Sequence, residues 1–260
     1  MKKIIAVLLA VAMLIGITGI LTGCGEDKKG ETLKVGFDAN FPPYGYQDEA
    51  GEYIGFDLDL AAEVCARNGW ELVKQPIDWD SKDMELDSGT IDCIWNGFTI
   101  NGREDDYTWS IPYVDNSQVF VVPTASGITN VAGLANKKIG VQAASSALDA
   151  INDDDYATTK ATFASVQEFP DYNNAFMNLE SGAVDAVAMD IGVAKYQLDT
   201  RTNFMMLAEP LATEQYGVGF KKGNTERKDQ IEQTLLEMVA DGKFAEIAAK
   251  WDLSDSICIK

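Results

Sequence analysis

The segment MELDSGTIDCIWNG, Met84 to Gly97, returns 93 residues later as MNLESGAVDAVAMD, Met177 to Asp190, with Met, Leu, Ser, Gly and Asp in register. Each copy reads as the end of a helix, a Ser-Gly turn and a buried strand. Gly89 and Gly182 suit the position after a helix where the backbone needs positive φ. Ile91 with Ile94, and Val184 with Val187, supply the apolar strand. Helix-turn-strand units share turn chemistry, so coincidence competes with the alternative of two similar lobes, each with its own sheet. In open α/β sheets, ligands bind beyond the carboxyl ends of the strands. The residues ending the two segments, Asn96 to Thr99 and Asp190, are therefore expected to face a cleft.

Outward from this pair the pattern stays α/β. LKVGF (Leu33 to Phe37) alternates like a half-buried strand and runs into a loop marked by Pro42, Pro43 and Gly45. After Gly55, Asp57 is placed to cap a helix carrying Leu60, Ala61, Val64 and Cys65 on one face, ending before Gly69. Further strands are predicted near Glu71 to Gln75, Ile91 to Asn96, Gln118 to Val122, Lys138 to Val141 and Ala183 to Ala188. Helical patterns between most of them predict largely parallel sheets. The stretch Glu232 to Trp251 is amphipathic with a break at Asp241-Gly242, and is expected to pack on the first lobe.

The beginning of the chain has the build of an export signal: Lys2 and Lys3, an apolar run from Ile4 to Ile20, then LTGC from Leu21 to Cys24. An uncleaved membrane-spanning helix is the competing reading. Removal of residues 1–23 takes two lysines and no acid, moving the formal charge from −20 to −22. A field of that sign repels nucleic acid and anionic headgroups. Residues 24–31 read as a short polar tether. Cys65, Cys93 and Cys258 remain, an odd number without CxxC spacing; Cys93 reads as a buried small hydrophobe, and Cys65 with Cys258 as a pair whose separation decides a disulfide. The chain has no histidine, which removes Ser-His and Cys-His nucleophiles and imidazole metal ligands. The acidic run Asp153 to Asp155 lacks the glycine and distal glutamate of a calcium loop.

DANFPPYGY (Asp38 to Tyr46), GFDLDLA (Gly55 to Ala61), NGFTINGR (Asn96 to Arg103), WSIPY (Trp109 to Tyr113), GVQAASS (Gly140 to Ser146), VDAVAMD (Val184 to Asp190) and EQYGVGFKKG (Glu214 to Gly223) occur in one order across the chain. Together they resemble the polar amino-acid solute-binding proteins of ABC importers. LTGC likewise resembles the lipobox of bacterial lipoproteins, in which the cysteine is acylated, so Cys24 is the expected lipid anchor on the outer face of the cell membrane. The resemblance implies a periplasmic-binding-protein-like fold: two α/β lobes joined by a two-strand hinge, with lobe 1 from residues 32–121 plus 213–260 and lobe 2 from 122–212. It implies a monomeric, non-enzymatic receptor without cofactor or metal, whose partners are a free amino acid and the importer's permease subunits.

For the site, the resemblance implies that Arg103 clamps the ligand α-carboxylate from one lobe while Ser145 and Ser146 hold it from the other. Those residue types suit the task, since a planar guanidinium and neutral donors bind a carboxylate. Asp190 matches the family's acid for the α-ammonium, with Thr99 and the Asn96 or Gly97 carbonyl beside it. Phe41 and Trp79 map to the walls, and Asp38 and Gln142 to positions near the ligand side chain. These assignments, with no second evident cation, lean towards a polar or cationic ligand. The competing readings are a helix cap for Asp190, a surface ion pair with Glu104, Asp105 or Asp106 for Arg103, core packing for the aromatics, and amide capping for Asp38. Two features depart from the family: Thr99 to Arg103 is one residue shorter than usual, and Ala144 replaces a customary glycine. A dehydratase on the same scaffold, or an ectodomain presenting ligand to a sensor, are the alternative functions.

Overall fold

In a computed structural model, residues 31–260 are described. The export signal, Cys24 and nearly all of the tether lie outside them.

The first sheet has the order β5-β1-β6-β14-β7, built from β1 (Thr32–Phe37), β5 (Glu71–Pro76), β6 (Cys93–Ile94), β7 (Tyr107–Trp109) and β14 (Gly219–Lys221). Strands β1, β5 and β6 are parallel, whereas β14 runs against both β6 and β7. The second sheet has the order β10-β9-β11-β8-β12, from β8 (Val114–Pro123), β9 (Lys138–Gln142), β10 (Ser165–Phe169), β11 (Ala186–Asp190) and β12 (Phe204–Met206), with β13 (Ala212–Tyr216) also paired to β8. Here β9, β10 and β11 are parallel and β8 opposes β11, β12 and β13. The expected parallel pairing thus stops at β8 and β14. A third, small sheet of β2 (Asn40–Phe41), β3 (Gly45–Gln47) and β4 (Tyr53–Ile54) stiffens the proline loop.

Helices α1 (Phe56–Asn68) and α2 (Lys82–Ser88) serve the first sheet; α3 (Ser146–Asn152), α4 (Ala157–Lys160), α5 (Tyr172–Glu180) and α6 (Ile191–Asp199) follow strands of the second. The final helices α7 (Thr225–Ala240) and α8 (Lys243–Lys250) meet at Asp241-Gly242 and pack on α1. Both echoed segments form a helix end, turn and strand, with φ of 78° at Gly89 and 75° at Gly182. Leu33, Val35, Phe56, Leu60, Val64, Phe220 and Leu235 are buried in a core that continues through Tyr113 and Tyr216 to Val119, Val187 and Met189 beneath the second sheet.

Three local expectations change. Asp57 does not cap α1, whose cap position is Gly55; it is fully buried, and its carboxylate accepts the Gly97 amide at 2.6 Å and the Tyr113 hydroxyl at 2.9 Å. Burial outweighs those bonds and pushes its carboxyl up to about 7. Cys65, Cys93 and Cys258 are all free thiols. Asp153 to Asp155 form an exposed turn, and no group of potential metal ligands occurs among the described residues.

Candidate functional site

Loops following β6 and β9, together with the end of β11, converge on one small cavity. From the first side come Gly97, Thr99 and Arg103, with Phe41 and Trp79 as aromatic walls; from the second come Gln142, Ser145, Ser146 and Asp190. The cavity holds about 10 Å³, roughly the room one water needs. Polar contacts knit its borders together: the Thr99 hydroxyl lies 3.1 Å from Ser146 Oγ, Gln142 Nε2 donates to Asp38 at 2.7 Å, and Arg103 donates to Asp149 on α3 at 2.6 Å. An amino acid is far larger than this space, so its admission requires these contacts to part.

Arg103 closes a turn in which its amide donates to the Ile100 carbonyl at 2.9 Å, with Gly102 at φ 81°. This tight turn accommodates the short spacing from Thr99. Its guanidinium lies 5.5 Å from the Phe98 ring centre, and its acid partner is Asp149 rather than Glu104, Asp105 or Asp106. The Arg103 side chain is 12% exposed and that of Asp149 62% exposed, so the guanidinium sits in the cleft while its partner faces water. On the other border, Ser145 caps α3: its hydroxyl accepts from the Leu148 amide at 3.2 Å and donates to the Gln142 carbonyl at 2.7 Å. Ala144 adopts φ 53°, so the glycine-type conformation persists without the glycine.

Asp190 occupies the cap position of α6, yet its side chain makes no cap bond. It accepts instead from Asn116 Nδ2 and Gln118 Nε2, each at 2.7 Å, from Tyr172 at 3.1 Å and from Tyr216. Asp38 and Asn96 do not line the cavity. Asp38 accepts from the Asn40 amide at 2.8 Å and from Gln142, and borders an adjoining open groove of about 350 Å³ with Asp78, Glu85 and Asp171. Burial pushes its carboxyl up to about 6. Asn96 accepts the Asp38 amide at 2.9 Å and so fixes the proline loop.

Several groups escaped the sequence reading. Glu214, 7% exposed, accepts from Thr99 at 2.8 Å, Asn116 at 2.6 Å and Gln118 at 2.8 Å. Strand alternation in ATEQY puts Glu214 on the same face as buried Tyr216, and alternation in β8 puts Asn116 and Gln118 with Val114 and Phe120; polar residues at inward positions were the available signal. Lys82, 5% exposed, reaches the Ala144 carbonyl at 3.3 Å, and burial lowers its pKa. A second cation therefore stands beside the cleft, which the sequence reading had not placed there.

A profile of bacterial extracellular solute-binding proteins, family 3, matches residues 33–254. The chain belongs to that family. This family 3 solute-binding protein is 28% identical to the L-cystine-binding protein TcyJ of Escherichia coli K12, over 86% of this chain and 84% of that one. It is 31% identical to the ABC transporter glutamine-binding protein GlnH of Bacillus subtilis 168, over 79% and 75%. An ABC uptake transporter substrate-binding protein from Streptococcus pneumoniae with bound histidine superposes with a TM-score of 0.81 at 34% identity, covering 85% of this chain and 92% of that structure. The family 3 protein therefore has the two-lobed α/β fold of these receptors and is a solute-binding component rather than an enzyme. Among its described residues, no helix is long and apolar enough to cross a membrane.

Proposed function

We propose that this protein is an extracytoplasmic receptor, anchored by lipid on Cys24, that closes on a free L-amino acid and delivers it to an ABC importer. One observation carries the reading: a guanidinium, two serines and a buried carboxylate border the same cavity beneath Phe41 and Trp79. That set is complementary to a carboxylate and an ammonium on one small molecule. The names of the relatives, which specify cystine, glutamine and histidine, agree with this class. Arg103, Ser145 and Ser146 hold the α-carboxylate, and Asp190 with Thr99 and Gly97 the α-ammonium. The ligand side chain lies towards Asp38 and Gln142, where the acid-lined groove favours a polar or cationic group. Lobe 1 is assigned to residues 32–121 and 213–260 and lobe 2 to 122–212, with β8 and the strand leading to β14 as the two crossings. Hinge closure then presents a monomer's closed face to the permease.

Isothermal titration of refolded, ligand-free protein against each of the twenty common L-amino acids and L-cystine tests the reading. Saturable binding of at least one is expected; binding of none overturns it.

A further inference from the structure

Asp190, Gln118, Asn116 and Glu214 stand on three adjacent strands of the second sheet. In register, Asp190 of β11 faces Gln118 of β8, and Asn116 of β8 faces Glu214 of β13. The two acids share both amide donors: Asn116 Nδ2 lies 2.7 Å from Asp190 Oδ1 and 2.6 Å from Glu214 Oε1, and Gln118 Nε2 lies 2.7 Å and 2.8 Å from the same oxygens. The carboxylates are therefore only a few ångströms apart, and both are buried. Among the described residues, neither forms a salt bridge with a lysine or arginine. Two like charges so placed, with no cation, are strongly disfavoured.

The amides supply a second, independent sign. Asn116 Oδ1 and Gln118 Oε1 are buried acceptors without a donor, in side chains 4% and 0% exposed. Gln118 is aimed at the cavity, since its Nε2 lies 2.9 Å from Ser146 Oγ on the cavity wall. Asp190 lines the cavity; beside it a second carboxylate and two amide oxygens without donors leave acceptors in excess over N–H groups, which suits a primary ammonium.

The groups around the pair do not neutralise it. Tyr216 of β13, Tyr172 of α5 and Tyr44 of the proline loop all have pKa values raised by burial and by the nearby acids, so they remain uncharged. Thr99 and Ser146 offer only hydroxyls, and Arg103 is bonded to Asp149. The amino end of α6 at Asp190 favours an ionised group there. Burial, followed by the Glu214 charge, overrides it and pushes the Asp190 carboxyl up to about 7.

We propose that Asp190 and Glu214 form one ammonium receptor that keeps a single shared proton until an ammonium arrives, so that amino-acid capture exchanges this proton for the ligand's ammonium group. The proton passes from the carboxyl O–H to bulk water, and no covalent bond of the ligand changes. The four side chains stand on hydrogen-bonded neighbours β11, β8 and β13, so backbone pairing holds the two acids together, whereas Thr99 reaches Glu214 from outside these strands. The exchange rests on the amino-acid reading above; the proton sharing does not.

Carboxyl ¹³C NMR of refolded, ligand-free protein tests the sharing. Beside the carbons of Asp38 and Asp57, which burial also raises, one carbon assigned to the Asp190–Glu214 pair is expected to titrate near neutral pH in the wild type, with Asp190 returning towards ordinary carboxylate values in Glu214→Gln. Ionisation of both acids below about pH 5 in the wild type overturns the proposal. Calorimetry at pH 6 and pH 8, in buffers of different ionisation heat, tests the exchange with each of the twenty common amino acids and L-cystine. Expected are proton release at pH 6, little at pH 8, and affinity rising by up to about tenfold per pH unit below the pair's midpoint. The N-acetyl form of the tightest ligand should neither bind nor release protons, and Glu214→Gln should flatten the pH profile. Saturable binding without proton release overturns the exchange while the amino-acid reading stands. Binding of none of the probes overturns that reading and the exchange with it, leaving the NMR titration to decide the shared proton.

Discussion

Arg103 and its partner illustrate how little stability the cleft contributes compared with its chemistry. The Arg103–Asp149 pair is half in water, and such pairs contribute roughly 0–1 kcal/mol. Arg103→Ala should therefore abolish amino-acid binding in calorimetry while leaving the thermal midpoint nearly unchanged. Ala144 is the opposite case. Its φ of 53° costs about 1–2 kcal/mol in a non-glycine residue, part of which glycine's chain entropy would offset. Ala144→Gly should raise the urea midpoint by an amount corresponding to about 1 kcal/mol or less. Arg103 and Asp190 were legible in sequence because each ends a recognisable string. Glu214 and Lys82 were not, because a charged residue in an alternating strand or at a helix start reads as solvent-facing until its neighbours in space are known. Asp57 misled for the same reason: an acid near a helix start looks like a cap, and only the fold shows the Gly97 amide and Tyr113 hydroxyl converging on it.

At the level of elements, the echo of Met84 to Gly97 in Met177 to Asp190 identified both cleft-forming units, because turn chemistry and apolar spacing are local. The pairing of β8 with three strands was illegible, since antiparallel registers depend on partners far along the chain. The small β2-β3-β4 sheet was hidden within a loop rich in proline and glycine. Two substitutions probe the cleft loops. Ser145→Ala removes the α3 cap and should destabilise the protein by about 1 kcal/mol in urea denaturation, with weaker ligand binding. Gly97 has φ 55°, and an added Cβ would meet Phe41 at 2.7 Å; Gly97→Ala should lose ligand binding in calorimetry through displacement of the Phe41 wall.

For the whole molecule, three buried acids set an unusual response to pH. Asp38 is raised to about 6, and Asp57 and Asp190 to about 7, chiefly by burial. In the unfolded chain these groups ionise near pH 4. Between there and neutrality the folded state binds more protons than the unfolded one, so their contribution is fully present below pH 4 and is lost as pH rises through 6 to 7. The urea midpoint of ligand-free protein is expected to be higher at pH 5 than at pH 8; a midpoint that rises with pH would contradict the burial of these carboxyls.

Strand β14 lies between β6 and β7, although it comes from residues 219–221. As the chain emerges amino end first during synthesis, the first sheet must therefore wait. Every strand of the second sheet emerges before β14 does, so that sheet can assemble while β6 and β7 still lack the strand that joins them. Contacts of such long sequence separation form slowly, and an exposed gap between two short strands is a site where other chains can pair. Assembly is thus ordered from the middle of the chain outward, with the first-synthesised sheet completed last.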